Sequence, residues 1–466
     1  MLRYFLIYRL VGCNIAIMKS LINLFIFLIV FFYQEATAQL QKVGFNDVDD
    51  ISNILPVRER YQYMNEVVDW RLKNLLPRLM IKHNIDVWII SYRENVIDPV
   101  AATFGQFGAN VFLGSSFLIH NLGGDKGIKR YPLRTGYPVY YGKLKDLIEK
   151  LDPNTIGINT SEIWNNGDGL TKTLYEKIED ALEEYSDRLV SAENLSNEWL
   201  EVKTKRELTV YRHVVGVAHD VISEAFSNKV IVPGITTADD LSWWIAQRYA
   251  DLGLNGLYYI IELQRSPKDR KRYGNPEVTQ EFKDNSKLEG DVVIQRGDII
   301  HSDVGMEYMG LNTDQQHHVY ILRDGETDAP DGLKEALKRS NRLQDIFMGA
   351  FVEERSGNDI TRFTHVQSDK EGLKSMIYTH PIGYHQHSGG TIMGADSDFA
   401  QRNKLPKAEY GLQNNTVWSI ELETISEIPE WDNIEVEISV EEQGAFTKER
   451  GAYFIDGRQT KWFLVY

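Results

Sequence analysis

The stretch from Gly297 to Tyr320 reads GDIIHSDVGMEYMGLNTDQQHHVY, and its pattern decides the fold. Two β-rich runs flank Met309-Gly310, a turn signal that predicts a hairpin. Asp303 and Asp314 stand eleven residues apart on these runs. Their midpoint falls between Tyr308 and Met309, so a symmetric hairpin sets the two carboxylates side by side. Carboxylates held that close repel and raise one another's pKa unless a cation lies between them. Asp near a turn also serves ordinary turn chemistry, so the metal reading depends on further ligands.

Downstream, Tyr378 to Gly390 reads YTHPIGYHQHSGG and brings His380, His385 and His387 into one segment. Thr416 to Thr424 (TVWSIELET) is strand-like, and alternation puts Glu421 and Glu423 on one face. Ile434 to Glu442 (IEVEISVEE) alternates apolar and acidic residues, which by itself describes an amphipathic strand with a solvated acidic face. Carboxylates with imidazole form a hard, oxygen-rich donor set, suited to Mn²⁺, Co²⁺ or Zn²⁺ ions rather than to a thiolate site.

The order Asp, Asp, His, Glu, Glu resembles the pita-bread metallopeptidases: methionine aminopeptidase, aminopeptidase P, prolidase and their relative creatinase. GDIIHSDVG looks like the family's Gly-Asp and Asp-x-Gly signature, and Asp314 falls at the family spacing. His380 resembles the metal His of a His-x-x-Gly segment, with Gly383 in register, and His387 sits where the family keeps its catalytic His. Ser419-Ile-Glu421 resembles the strand of the first metal Glu. Ile438-Ser-Val-Glu441, with Thr447 six residues on, fits the second better than Glu435 does. The resemblance therefore implies metal ligands Asp303, Asp314, His380, Glu421 and Glu441, with His387 catalytic. It also implies an α+β pita-bread catalytic domain, a short-peptide substrate with Xaa-Pro favoured, and a homodimer.

Three departures concern the groups that orient substrate. Gly274 to Gly297 lacks the extra His of proline-selective members; His301, on the same strand face as Asp303, and His385 are candidates for supporting positions. Ser439 stands where relatives often carry Arg. Gln315-Gln316-His317-His318 replaces the more usual Thr/Ser-Arg.

The remaining chain sets the bounds. At 466 residues it holds two ordinary domains, and a formal charge of −16 argues against nucleic acid and anionic membrane surfaces as partners. Met18 to Gln39 has a basic residue, an apolar run and a small-x-small end at Ala36-Thr-Ala38, which reads as a signal peptide over residues 1–38, with Met18 a possible start. Its apolar core is shorter than the roughly 20 residues a spanning helix needs, so the mature chain is expected to be free of a membrane span and periplasmic or secreted. Cys13 is the only cysteine, which excludes a mature disulfide or thiol nucleophile. Residues 45–200 alternate strand and helix patterns, an α/β arrangement resembling the N-terminal domain of creatinase and prolidase. Expected helices cover 58–84 (kinked at Pro77), 144–151 and 170–185. Expected strands are 86–91, 111–113, 139–141, 156–158 and 189–191. From residue 203 to 466 a catalytic domain is expected, opened by a helix over 207–227, with the charged segment 264–288 an exposed loop. The competing functions are a creatinase-like hydrolase of a small C–N compound and a non-catalytic pita-bread binding protein.

Overall fold

The computed structural model describes residues 41, 43–46, 50–93, 95–104, 115–123, 126–134, 138–274, 276, 292–395, 401 and 403–466. The signal-peptide segment and the strand expected at 111–113 lie outside these residues.

Helices α1 (Val57–Asn74) and α2 (Leu76–Lys82) break at Leu75, and Pro77 sits in the first turn of α2, where its missing N–H costs nothing. Strand β1 (Val87–Ser91) is buried along its whole length. It centres a five-stranded sheet ordered β3-β2-β1-β4-β5, with β2 (Ser115–Asn121), β3 (Ile128–Arg134), β4 (Ile156–Ile158) and β5 (Leu189–Ser191). Trp88 and Ile90 pack with α1, α2 and α5 (Glu193–Glu201) on one face. Val87 and Ile89 pack with α3 (Pro138–Leu151) and α4 (Lys172–Ala181) on the other. The strand expected at Val139–Tyr141 is the first turn of α3: Pro138 opens the helix, and Tyr140, Leu144 and Ile148 share its buried face. Tertiary packing overrides the β propensity of the Val-Tyr-Tyr run.

Helix α6 (Lys205–Ala225) opens with a capping box between Thr204 and Glu207, and α7 (Ala238–Asp251) with one between Thr237 and Asp240. A nine-stranded sheet follows, ordered β10-β9-β11-β12-β8-β7-β6, with β13 (Gly451–Phe454) on β12 and β14 (Phe463–Val465) parallel to β8. Its strands are β6 (Asn255–Gln264), β7 (Ile299–Tyr308), β8 (Leu311–Ile321), β9 (Lys374–Pro381), β10 (Met393–Gly394), β11 (Thr416–Ile428) and β12 (Ile434–Thr447). One outer half is covered by α6 and α7. The other is covered by α8 (Asp331–Gly349), with α9 (Gly357–Lys370) packed beside it. Strand alternation sends Ile300, Val304 and Met306 outward into the first core, and Trp418, Ile420, Val436, Ile438 and Val440 into the second. His301, Asp303, Glu421 and Glu441 are thereby left on the opposite face.

The β7–β8 turn is tight: Met309 and Gly310 both have positive φ (55° and 73°), as a two-residue hairpin turn with the right twist requires. It pairs Tyr308 with Leu311, which puts Asp303 opposite Gln316 and Asp314 opposite Gly305. The two carboxylates are diagonal neighbours on one face rather than directly opposed. The segment expected as an exposed loop holds a short helix, Pro267–Tyr273, and Arg265 in it is buried in a two-pronged ion pair with Asp298 (2.6 and 2.7 Å). Among the described residues no helix is long and apolar enough to cross a membrane.

Candidate metal centre

Four neighbouring strands bring the acidic residues together. Glu421 of β11 and Glu441 of β12 are direct cross-strand partners, Glu441 faces Gln316 of β8, and Ser419 faces His380 of β9. Ligand atoms of Asp314, His380 and Glu441 all lie within 4.8 Å of one another. His380 donates Nδ1–H to the Pro381 carbonyl (3.3 Å) and turns Nε2 toward Asp314 (3.4 Å) and Glu441 (3.9 Å). A backbone carbonyl on the far nitrogen is the usual way a metal-ligating His is oriented. Glu435, the other candidate for the last ligand, lies at the exposed start of β12, paired with Lys374.

The electrostatics fit a cation site. Burial, then Asp314 and Glu421, push the Asp303 carboxyl well above its ordinary pKa. Burial, then Asp314, Glu421 and Asp303, do the same to Glu441. Burial opposes the His380 imidazolium, but Asp314 and Glu421 outweigh it and its pKa is raised. Asp303 Oδ1 is buried without a hydrogen-bond partner. A buried acceptor in that state is costly, and a divalent ion is the partner whose chemistry suits this donor set.

Neutral donors hold the acidic residues. The Tyr258 hydroxyl donates to Asp314 Oδ1, and Gln386 Nε2 donates to the Tyr258 oxygen (2.8 Å) and the Thr313 carbonyl (3.0 Å). Gly305 makes room for this: a Cβ there would come 2.5 Å from the Tyr258 ring and 2.7 Å from Gln386 Nε2. Ser419 Oγ donates to Glu441 Oε1, and Gln443 Nε2 to the Asp314 carbonyl. Tyr258, Gln386 and Gln443 were not apparent from the sequence, because the pairing of Tyr258 with Gly305 spans a long gap in the chain. The one available signal was the glycine of Asp-x-Gly.

His387 stacks on His380 with ring centroids 4.0 Å apart, and its backbone carbonyl accepts from Asn166 Nδ2 at 2.5 Å. Burial, then the neighbouring His380, lower its pKa to about 4. His301 bonds Gln316 on one side and Glu262 on the other. His385 stands apart from the carboxylates and donates Nε2–H to the Pro99 carbonyl at 3.1 Å.

A mixed sheet with carboxylates and a His gathered on one face fits a metallohydrolase of the pita-bread architecture. Residues 209–447 match the model of metallopeptidase family M24, and the chain belongs to that family. No curated protein sequence matches it. Similar folds include the X-Pro aminopeptidase of Thermotoga maritima MSB8 (TM-score 0.58, 17% identity, 83% of this chain and 100% of that one). The dipeptidase of Pyrococcus horikoshii OT3 is also similar (0.55, 14%, 84% and 99%), as is the Xaa-Pro dipeptidase of Bacillus anthracis (0.51, 14%, 88% and 100%). The chain is accordingly a metallopeptidase-type hydrolase.

Proposed function

We propose that this protein is an exported, homodimeric aminopeptidase or dipeptidase that uses two divalent ions to cleave the first bond of short peptides, with Xaa-Pro favoured. The observation that carries this is the convergence of Asp303, Asp314, His380, Glu421 and Glu441 into one buried group whose negative charge the protein does not cancel. Asp314, His380 and Glu441, whose ligand atoms lie within 4.8 Å of one another, would hold the ions together with Asp303 and Glu421. Bound there, the ions would supply Lewis acidity to a scissile carbonyl and lower the pKa of an attacking water. The chain's own part is to hold ligands and substrate still: Tyr258, Ser419 and Gln443 fix Asp314 and Glu441. His387, stacked beside His380, is placed to stabilise charge or carry a proton at the departing amine. Preference for Xaa-Pro is supported by the likeness in fold to the X-Pro aminopeptidase of Thermotoga maritima and the Xaa-Pro dipeptidase of Bacillus anthracis.

The test is metal content together with a panel of Xaa-Pro and other N-terminal dipeptide bonds. Two ions per chain and turnover of Xaa-Pro substrates are expected. If metal-loaded protein hydrolyses no N-terminal bond, the peptidase reading fails and hydrolysis of a small C–N compound moves ahead.

A further inference from the structure

Gln316 occupies the middle of the site in a way the chemistry described so far does not use. It pairs with Asp303 on one neighbouring strand and with Glu441 on the other, so its side chain rises between the two halves of the carboxylate group. Its amide nitrogen donates to Glu421 Oε1 (2.8 Å) and Glu441 Oε2 (2.9 Å) at once. With both amide hydrogens so used, Oε1 must accept, and it does so from His301 Nε2 at 2.9 Å. The far nitrogen of His301 faces Glu262 Oε2 at 3.2 Å. Gln316 is buried, His301 is 12% exposed and Glu262 41% exposed, so the arm Glu262–His301–Gln316 runs from solvent to the two glutamates.

We propose that Gln316, held by His301 and Glu262, is the positioning residue that orients Glu421 and Glu441 toward metal. The inference rests on the metal-site reading above. A hydroxyl side chain at position 316, such as Thr or Ser, has one hydrogen to give and reaches one carboxylate at most. The glutamine amide gives two, and so ties the carboxylates to each other as well as to the sheet. One oxygen of each glutamate is held by the amide, and the other oxygen of Glu441, Oε1, faces His380. Partners one shell out from a metal typically change its affinity 10–100-fold when removed.

The test is metal affinity, measured by chelator competition with Mn²⁺ or Co²⁺, together with the visible spectrum of the Co²⁺ form. Gln316→Ala should weaken binding by about 10–100-fold and shift the Co²⁺ bands. Gln316→Thr should recover part of the loss, because one hydrogen bond returns. His301→Ala, a less buried change that keeps the protein testable should the first variant not fold, should show a smaller loss. The double variant should be no worse than Gln316→Ala alone, because His301 acts through Gln316. Wild-type affinity and spectrum in both single variants, or fully additive losses, would overturn the proposal. A wild type that binds no divalent ion would instead overturn the metal reading itself, so the two failures are distinguishable.

Discussion

The two faces of the central sheet carry the same kinds of residue and opposite electrostatics. On one face, Asp303, Asp314, Glu421 and Glu441 share a single His380, and the Asp303 and Glu441 carboxyls are driven up. Three residues beyond Asp314 and one beyond Glu441, His317 and Glu442 point the other way and meet His219 of α6. His219 bonds Glu442 (2.8 Å) and Asp456 (3.0 Å), and His317 bonds Glu442 (3.1 Å). There the burial penalty is outweighed by the two imidazoles, and the Glu442 carboxyl is held at about 2. Phe45 stacks on His219 at 3.6 Å and seals the group. His219, His317 and Glu442 come close enough together to resemble a metal triad, yet both His219 nitrogens already engage carboxylates and the charges largely close among themselves. Proximity of ligating residues therefore does not distinguish a metal centre from an ion-pair network; the uncancelled charge does.

Neutralising one glutamate on each face should have opposite effects. Glu441→Gln should lose at least one ion and nearly all activity, while the metal-free protein gains thermal stability because repulsion is relieved. Glu442→Gln should keep its metal and lose about 3–5 kcal/mol of stability, the usual cost of breaking a buried ion pair. Metal analysis and melting curves decide it, and the reverse pattern would mean the faces have been assigned wrongly. Next in size, His387→Ala should lower kcat by about 10²–10⁴ with metal content unchanged; a loss of metal instead would make it a ligand. A gentler probe is pH. Burial alone would lower the pKa of His219, but Glu442 and Asp456 raise it from 6.5 to about 9, with His317 facing it from β8 and Arg212 lying 3.5 Å from Asp456. A raised pKa means stabilisation that is full below 6.5 and lost as pH rises through about 9. The melting-temperature gap between wild type and His219→Gln should close over that window, and a gap that widens would refute the network. The smallest effect belongs to Glu435→Gln, which should leave metal stoichiometry intact and change stability by no more than about 0.5 kcal/mol.

The gathering of Asp314, His380, Glu421 and Glu441 was largely legible in the sequence, because each sits in a short strand pattern that can be read locally. The hairpin was legible too, from Met309-Gly310, but its register was not: the midpoint between two acids is not the midpoint of the turn, and one residue separates them. Hydroxyl and amide partners such as Tyr258, Gln386 and Gln443 carry no local signature, since they are defined only by which strands pair. The back-face network was hidden for the same reason. His219, His317, Glu442 and Asp456 come from four separate segments and mean nothing singly. Strands β2 and β3 were missed, and the first turn of α3 was misread, where residue propensity gave the wrong weight to neighbours that only packing supplies.

The loop that carries His387 is held on one side by Tyr258 and Thr313 and on the other by residues outside the matched family segment. The Pro99 carbonyl takes the His385 ring, Asn166 takes the His387 carbonyl, and Asn197 Oδ1 takes the Gly390 amide at 2.8 Å. None of the three touches the ligands, yet together they tie the loop's opening to the local unfolding of a five-stranded layer with no chemistry of its own. Amide exchange across residues 385–390 should then report on that layer's cooperative stability as well as on that of the nine-stranded sheet. A lesion in the packing around Trp88 would slow the enzyme from a distance, by loosening the surroundings of one imidazole.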